Sequence, residues 1–249
     1  MPKATLWQIP GSHPCEAVEI AMRMKGFEIK TVNLLPVMHK PVQKAKFGQA
    51  TVPGVVIDGE KIVGSRRIMK RLDELVPEPA LYPADAAERA KVEEAELWGD
   101  DVFQAAVRRL LWAVARHAPK QVLTGLADPD SLPIPLPIAM TSAVPMVKIE
   151  MKIHGVTEER ARTDLAALRG MVDRVDELIA NGTIGGETAN AADLQVLSSI
   201  KLLNAIGDFR PLLEGRPCLA AAQRLFPGSS GDVAPGVLPA DEQALLGSA

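Results

Sequence analysis

The chemistry of this chain starts at Ser12. It lies in Pro10-Gly11-Ser12-His13-Pro14-Cys15, directly after a short apolar run, Ala4-Thr5-Leu6-Trp7-Gln8-Ile9. Beyond it, Cys15, Val18, Ala21 and Met22 recur at helical spacing. Pro14 suits the first turn of that helix, where a missing N–H costs nothing. A helix N-terminus turns unpaired N–H groups and a positive dipole end toward whatever precedes it. A hydroxyl at that point can hold a thiolate by donating a hydrogen bond, without itself ionising. Free thiols ionise near pH ~8.5, so a donor that favours the anion raises the share of nucleophile at neutral pH. Other chemistries have less support. His13, His39, His117 and His154 are scattered, no cluster has metal-ligand spacing, and no Gly-rich phosphate loop is present.

Composition frames that site. The 249 residues suffice for one large domain or two small ones, and 47% hydrophobic with 24% charged residues predicts a packed fold. A net charge of −3 with dispersed Lys and Arg gives no nucleic-acid footprint. Cys15 and Cys218 are the only cysteines, which excludes a disulfide framework and points to a reducing compartment. No apolar h-region and no run near ~20 apolar residues is present, so no membrane partner and a cytoplasmic location are expected.

The elements follow from periodicity and breakers. Residues 1–78 read as strand Ala4–Gln8, helix Pro14–Lys25, strand Glu28–Val32, a Pro- and Gly-broken loop with a short helix, then Gly54–Ile57 and Lys61–Val63 joined by Asp58-Gly59. Ser65 is placed to cap a helix carrying Ile68, Met69, Leu72 and Leu75. The order βαβαββα is that of a thioredoxin-like domain. A linker at 79–85 precedes a helical region at 86–227, opened by one long helix from Asp85 to about His117. Pro129, Pro133, Pro135, Pro137 and Pro145 block a continuous helix over 124–145, and the apolar residues between them predict a lid or binding loop. A helix restarts near Met146, another opens at Thr157, and the last runs from Arg216 to Phe226. Residues 228–249, rich in Gly, Pro, Ser and Ala, read as a loosely held extension.

The N-terminal segment resembles that of serine-type, delta- and theta-like glutathione S-transferases. The family's thioredoxin-like α/β N-terminal domain and all-α C-terminal domain match the order above. Gly185–Leu194, with Asn190 and Asp193 as a capping pair, resembles the family's Gly-x-x-x-Ser/Thr-x-Ala-Asp segment. The resemblance implies Ser12 as the catalytic hydroxyl. It implies Val52, Pro53, Ser65, Arg66 and His39 on the thiol, with a cis peptide before Pro53; read by itself, Pro53 merely starts a strand. It implies an acceptor-substrate pocket of His13, Phe103, Arg108, Leu111 and Trp112. Glutathione would be the co-substrate, no metal would be needed, and the chain would act as a homodimer on an electrophilic small molecule in detoxification.

Two departures matter. Gly64 stands where the family carries an acid for the γ-glutamyl ammonium, and Ala50 where delta-like members carry a histidine. Asp100 and Asp101 either supply that charge from a partner subunit or form a solvated helix face. Ser12-x-x-Cys15 also resembles a redox Cys-x-x-Cys with its first member changed, but Cys15 falls on the helix's buried side. Three readings stand: a thiol-conjugating transferase, the same fold using a thiol other than glutathione, and a non-catalytic scaffold or binding protein.

Overall fold

The computed structural model describes residues 2–228 and 231–247. Its first part is β1 (Lys3–Gln8), α1 (His13–Met24), β2 (Glu28–Asn33), α2 (His39–Phe47), β3 (Gly54–Ile57), β4 (Glu60–Val63) and α3 (Ser65–Leu75). The sheet order is β2-β1-β3-β4, with β1 parallel to β2 and the other pairs antiparallel. The crossover through α1 brings the first strand to the middle of the sheet. There Leu6 is buried against Val18, Ala21 and Met22 of α1. Asp58 and Gly59, both at positive φ, make the tight β3–β4 turn. His39 was expected in a loop; it opens α2.

The Val52–Pro53 and Glu78–Pro79 peptides are both cis. The Gly64 N–H donates to the Pro53 carbonyl at 3.0 Å, so the segment before β3 lies beside the start of α3. The α3 cap differs from expectation: Gly64 occupies it, at φ 93°, and Ser65 is already the first helical residue. At the far end of α3, the fully buried Lys25 ammonium donates to the Asp73 carboxylate (2.7 Å) and to the carbonyls of Val76 (2.7 Å), Pro77 (3.2 Å) and Pro79 (2.6 Å). The lysine thereby gathers the carbonyl of the α3 C-cap, Val76, and two carbonyls of the segment just beyond it.

The second part is helical: α4 (Ala86–Trp98), α5 (Gln104–Ala115), α6 (Pro119–Leu126), α7 (Leu136–Ala139), α8 (Ala143–Ile153), α9 (Glu158–Ala180), α10 (Ala191–Ala205), α11 (Arg210–Leu213), α12 (Pro217–Leu225) and α13 (Ala240–Gln243). The long helix expected from Asp85 is interrupted by a π-helical turn at Gly99–Phe103. Gly99 permits the close packing there, since a Cβ would fall 2.8 Å from Val196 Cγ2 of α10. α10 is buried along most of its length and packs on α1, α4 and α12. Its start is fixed by the capping box of Asn190 and Asp193.

The final segment differs from the loosely held tail expected. The Asp208 carboxylate accepts the N–H groups of Gly236, Val237 and Leu238, and Val233, Leu238 and Leu246 are buried. Asp208 gathers donors that no periodic pattern marks, which is why composition misread the segment. Ser229, Ser230, Ser248 and Ala249, also within the expected extension, lie outside the described residues. No helix among the described residues is long and apolar enough to cross a membrane.

Candidate active site

A cavity of about 790 Å³ opens between the two parts. Its first wall comes from the ends of N-terminal elements. Ser12 is the N-cap of α1, yet its side chain makes no capping bond. Its hydroxyl instead lies beside the Cys15 thiol, favouring the thiolate. Burial opposes that and wins, pushing Cys15 up to about 11. Cys15 is therefore an inert core thiol, and Ser12, beside it, also lines the cavity. His13 is buried, its Nδ1 is 3.1 Å from Ser199 Oγ of α10, and burial, helped by the charge of Arg108, holds its pKa well below the usual histidine value. It lines the cavity as a neutral imidazole.

Val52, Pro53, Ser65 and Arg66 line the same cavity, as do Ala50 and Gly64. The Arg66 Nε sits 3.4 Å from the fully buried Glu96 carboxylate of α4, which also accepts a hydrogen bond from Tyr82 at 2.8 Å. Arg66 thus has two neighbours to serve: the α4 carboxylate and the cavity. The π-helical turn puts Asp100 of the same chain into the cavity lining, near enough to feel Arg66 and Arg108. Burial and the adjacent Asp101 raise its pKa. Asp101 is exposed and does not line the cavity.

The second wall is helical. Gln104, Arg108, Leu111 and Trp112 of α5 line it. Phe103 does not. It is fully buried and stacked on Trp98 with centroids 5.3 Å apart, because the π-helical turn rotates it into the core. The Pro-rich segment closes this wall. Instead of an open loop it forms α6, a 3-10 turn at Pro129–Ser131, α7, a 3-10 turn at Met140–Ser142 and α8. Leu126, Leu132, Met140, Met146 and Ile149 face the cavity. Two bonds tie this cover to the first part: Asn33 Nδ2 to the Ser131 carbonyl (2.8 Å) and the Val37 N–H to Glu150 Oε1 (3.0 Å).

His39, Glu150 and His154 meet at one end of the cavity. His39 is buried, its Nδ1 has no hydrogen-bond partner among the described residues, and burial lowers its pKa. Glu150 is pushed up by burial, but the His154 hydrogen bond (3.2 Å) and the nearby imidazoles outweigh this and lower its pKa. Glu150 and His154 escaped the sequence reading. They lie more than a hundred residues from His39, and no local spacing signals them. Among the described residues no group of three or more His, Cys, Asp or Glu is placed to hold a metal ion.

A thioredoxin-like sheet domain joined to a helical bundle, with a cleft between them, defines the glutathione S-transferase fold. Residues 6–80 match the family model described as glutathione S-transferase, N-terminal domain. The whole chain is similar to solved structures. One is a glutathione S-transferase from Sinorhizobium meliloti, at 19% identity and TM-score 0.63, covering 98% of this chain and 99% of that one. A second is the theta class enzyme from the citrus canker pathogen Xanthomonas axonopodis pv. citri, solved with glutathione bound, at 18% and 0.58, covering 92% and 100%. A third is the β-etherase LigF from Sphingobium sp., at 20% and 0.58, covering 91% and 96%. No curated protein matches the chain. Residues 6–80 thus match the family's N-terminal domain, and the chain as a whole has the glutathione S-transferase fold.

Proposed function

We propose that the protein is a serine-type transferase that joins a low-molecular-weight thiol to an electrophilic small molecule. What carries the reading is a single cavity lined at once by Ser12, Val52, Pro53, Ser65 and Arg66 on one wall and by apolar helical residues on the other. The N-terminal domain, 1–78, holds the thiol, and the helical domain, 86–227, holds the acceptor. The thiol gives its proton to solvent, and the Ser12 hydroxyl donates a hydrogen bond to the sulfur anion. Each pKa unit so gained corresponds to about 1.36 kcal/mol. The thiolate attacks the electrophilic carbon, a C–S bond forms, and the leaving group departs with its electron pair. Cys15, buried and protonated, takes no part.

Glutathione is the thiol we assign, in keeping with the glutathione-bound theta class neighbour. Ser65 and Arg66 receive its γ-glutamyl carboxylate. Asp100 of the same chain takes the ammonium in place of the acid missing at Gly64. His39 sits toward the glycine end. Exposed Leu97, just before the π-helical turn, and Val102, within it, support a homodimer contact, and we assign a detoxifying role in the cytoplasm. Gly64 and Ala50 favour the second reading, a thiol with different end groups.

The test is turnover of an aryl halide with glutathione and with other small thiols, in the wild type and in Ser12→Ala. Thiol-dependent product that is lost in the variant supports the proposal. No product with any thiol removes it and leaves a binding role.

A further inference from the structure

The helical wall holds a cation without a counterion. Arg108 has no carboxylate within ion-pair distance among the described residues; its one hydrogen bond runs from Nη2 to Gln104 Oε1, at 2.7 Å. Asp100 and Glu150 act on it only through space; Asp100 accepts one bond from Gln195 Nε2 at 3.4 Å, and Glu150 is engaged by Val37 and His154. Its neighbour Arg109 shows what a satisfied arginine looks like on this helix, held by Asp164 through bonds of 2.6 and 2.8 Å. Two further donors near Arg108 are unmet. Gln104 Nε2 and Trp112 Nε1 are both buried without a partner among the described residues, and both residues line the cavity. Around them the wall is apolar: Leu111, Leu123, Met140, Met146 and Ile149. A guanidinium stays charged at any physiological pH, so leaving it desolvated and unpaired is costly.

We infer that Arg108 selects the acceptor: the electrophile carries a carboxylate or similar anionic oxygen group on an apolar body, and that group docks on the Arg108 guanidinium beside Gln104. This rests on the proposed transfer reaction for the word acceptor, but not for the anion preference itself. Arg108 lines the cavity from α5, close enough to the start of α1 for its charge to act on His13 and Cys15, and the apolar residues around it would hold the acceptor's body while Ser12 serves the sulfur. A docked anion would give the planar fork the paired oxygens it lacks.

Binding is measured first, by calorimetry with 4-nitrobenzoate and with its uncharged analogue 4-nitrobenzamide. The wild type should prefer the carboxylate by about tenfold or more, the lower end for a hydrogen bond to a charged group. Arg108→Met should bring the ratio to near one. Equal binding of the two probes by the wild type overturns the inference with no variant needed, so a misfolded variant cannot shelter it. A preference that persists in a folded Arg108→Met also overturns it.

The same pair is then compared as reactive acceptors, 4-chloro-3-nitrobenzoate and its amide. Thiolate sulfur replaces chloride, which leaves with the C–Cl electrons. Carboxylate preference in binding without thiol-dependent turnover would sink the transferase proposal and leave the anion site standing. Turnover without the preference would do the reverse. Ultraviolet titration of the bound thiol closes the alternative: a raised thiol pKa in Arg108→Met, with the carboxylate ratio unchanged, would assign Arg108 to the thiolate instead.

Discussion

The two walls of the cleft are built by different means. The N-terminal wall works through element ends: a hydroxyl at the start of α1, the backbone of Val52 before β3, and Ser65 in the first turn of α3. Its positions are set by main-chain bonds such as Gly64 N–H to Pro53 carbonyl, which a side-chain exchange leaves in place. The helical wall works through long side chains. There Arg109 is anchored bidentately by Asp164, while the adjacent Arg108 is left open toward the cavity. The contrast teaches that the first wall keeps its shape through main-chain geometry, while what the second presents to the cavity depends on its side chains.

The comparison breaks first if either wall is not anchored as described. Lys25→Met would strand Asp73 and the carbonyls at the end of α3, and removing one partner of a buried ion pair costs about 3–5 kcal/mol. Asp164→Ala, which strands Arg109 on the other wall, belongs in the same range. Urea unfolding of both variants checks this. A loss below ~1 kcal/mol at either position would show that wall to be held by something else.

Ser12→Ala comes next. A hydrogen bond to a charged group is worth roughly 1.5–3 kcal/mol, so kcat/KM should fall about 10- to 150-fold. The melting temperature should barely move, because the Ser12 side chain makes no capping bond.

Gly64 tests the main-chain wall directly. At φ 93° a Cβ is strained although space is open around it, so Gly64→Ala should cost about 1–3 kcal/mol in unfolding experiments. Restoring an acid there as Gly64→Glu would carry the same strain. This favours Asp100 as the acid that would meet the ammonium in the proposed reaction.

The smallest effect is a slope with pH. His13 is held neutral in the fold, and the unfolded chain takes up its proton below pH ~6.5. Above that value the histidine contributes nothing to the dependence. Below it the unfolded state binds more protons, so stability falls as pH falls, by up to about 1.4 kcal/mol per unit. Urea midpoints at pH 7.5 and 5.5 should therefore drop further in wild type than in His13→Gln. Equal drops would mean His13 is protonated in the fold.

The sequence by itself determined most elements of the N-terminal domain and the cap at Asn190, because the signals are local. Apolar alternation, Asp58-Gly59, the Thr51-Val52-Pro53 segment and the Asn190–Asp193 spacing each act within a few residues. Ser12, Val52, Pro53, Ser65, Arg66, His39, His13, Arg108, Leu111 and Trp112, which the family resemblance singled out, all line one cavity. Phe103 did not, since helical periodicity assumes 3.6 residues per turn and the π-helical turn at Gly99–Phe103 shifts the phase. Only the tertiary structure decided that Lys25 ties off α3, that Asp208 pins the final segment, and that Glu150 and His154 meet His39. Only it separated Arg108 from Arg109, two identical side chains adjacent in sequence. Successive residues on a helix point about 100° apart. What each arginine meets is therefore fixed by elements folded in from elsewhere: α9 brings Asp164 to one, and the cleft leaves the other without a partner carboxylate among the described residues.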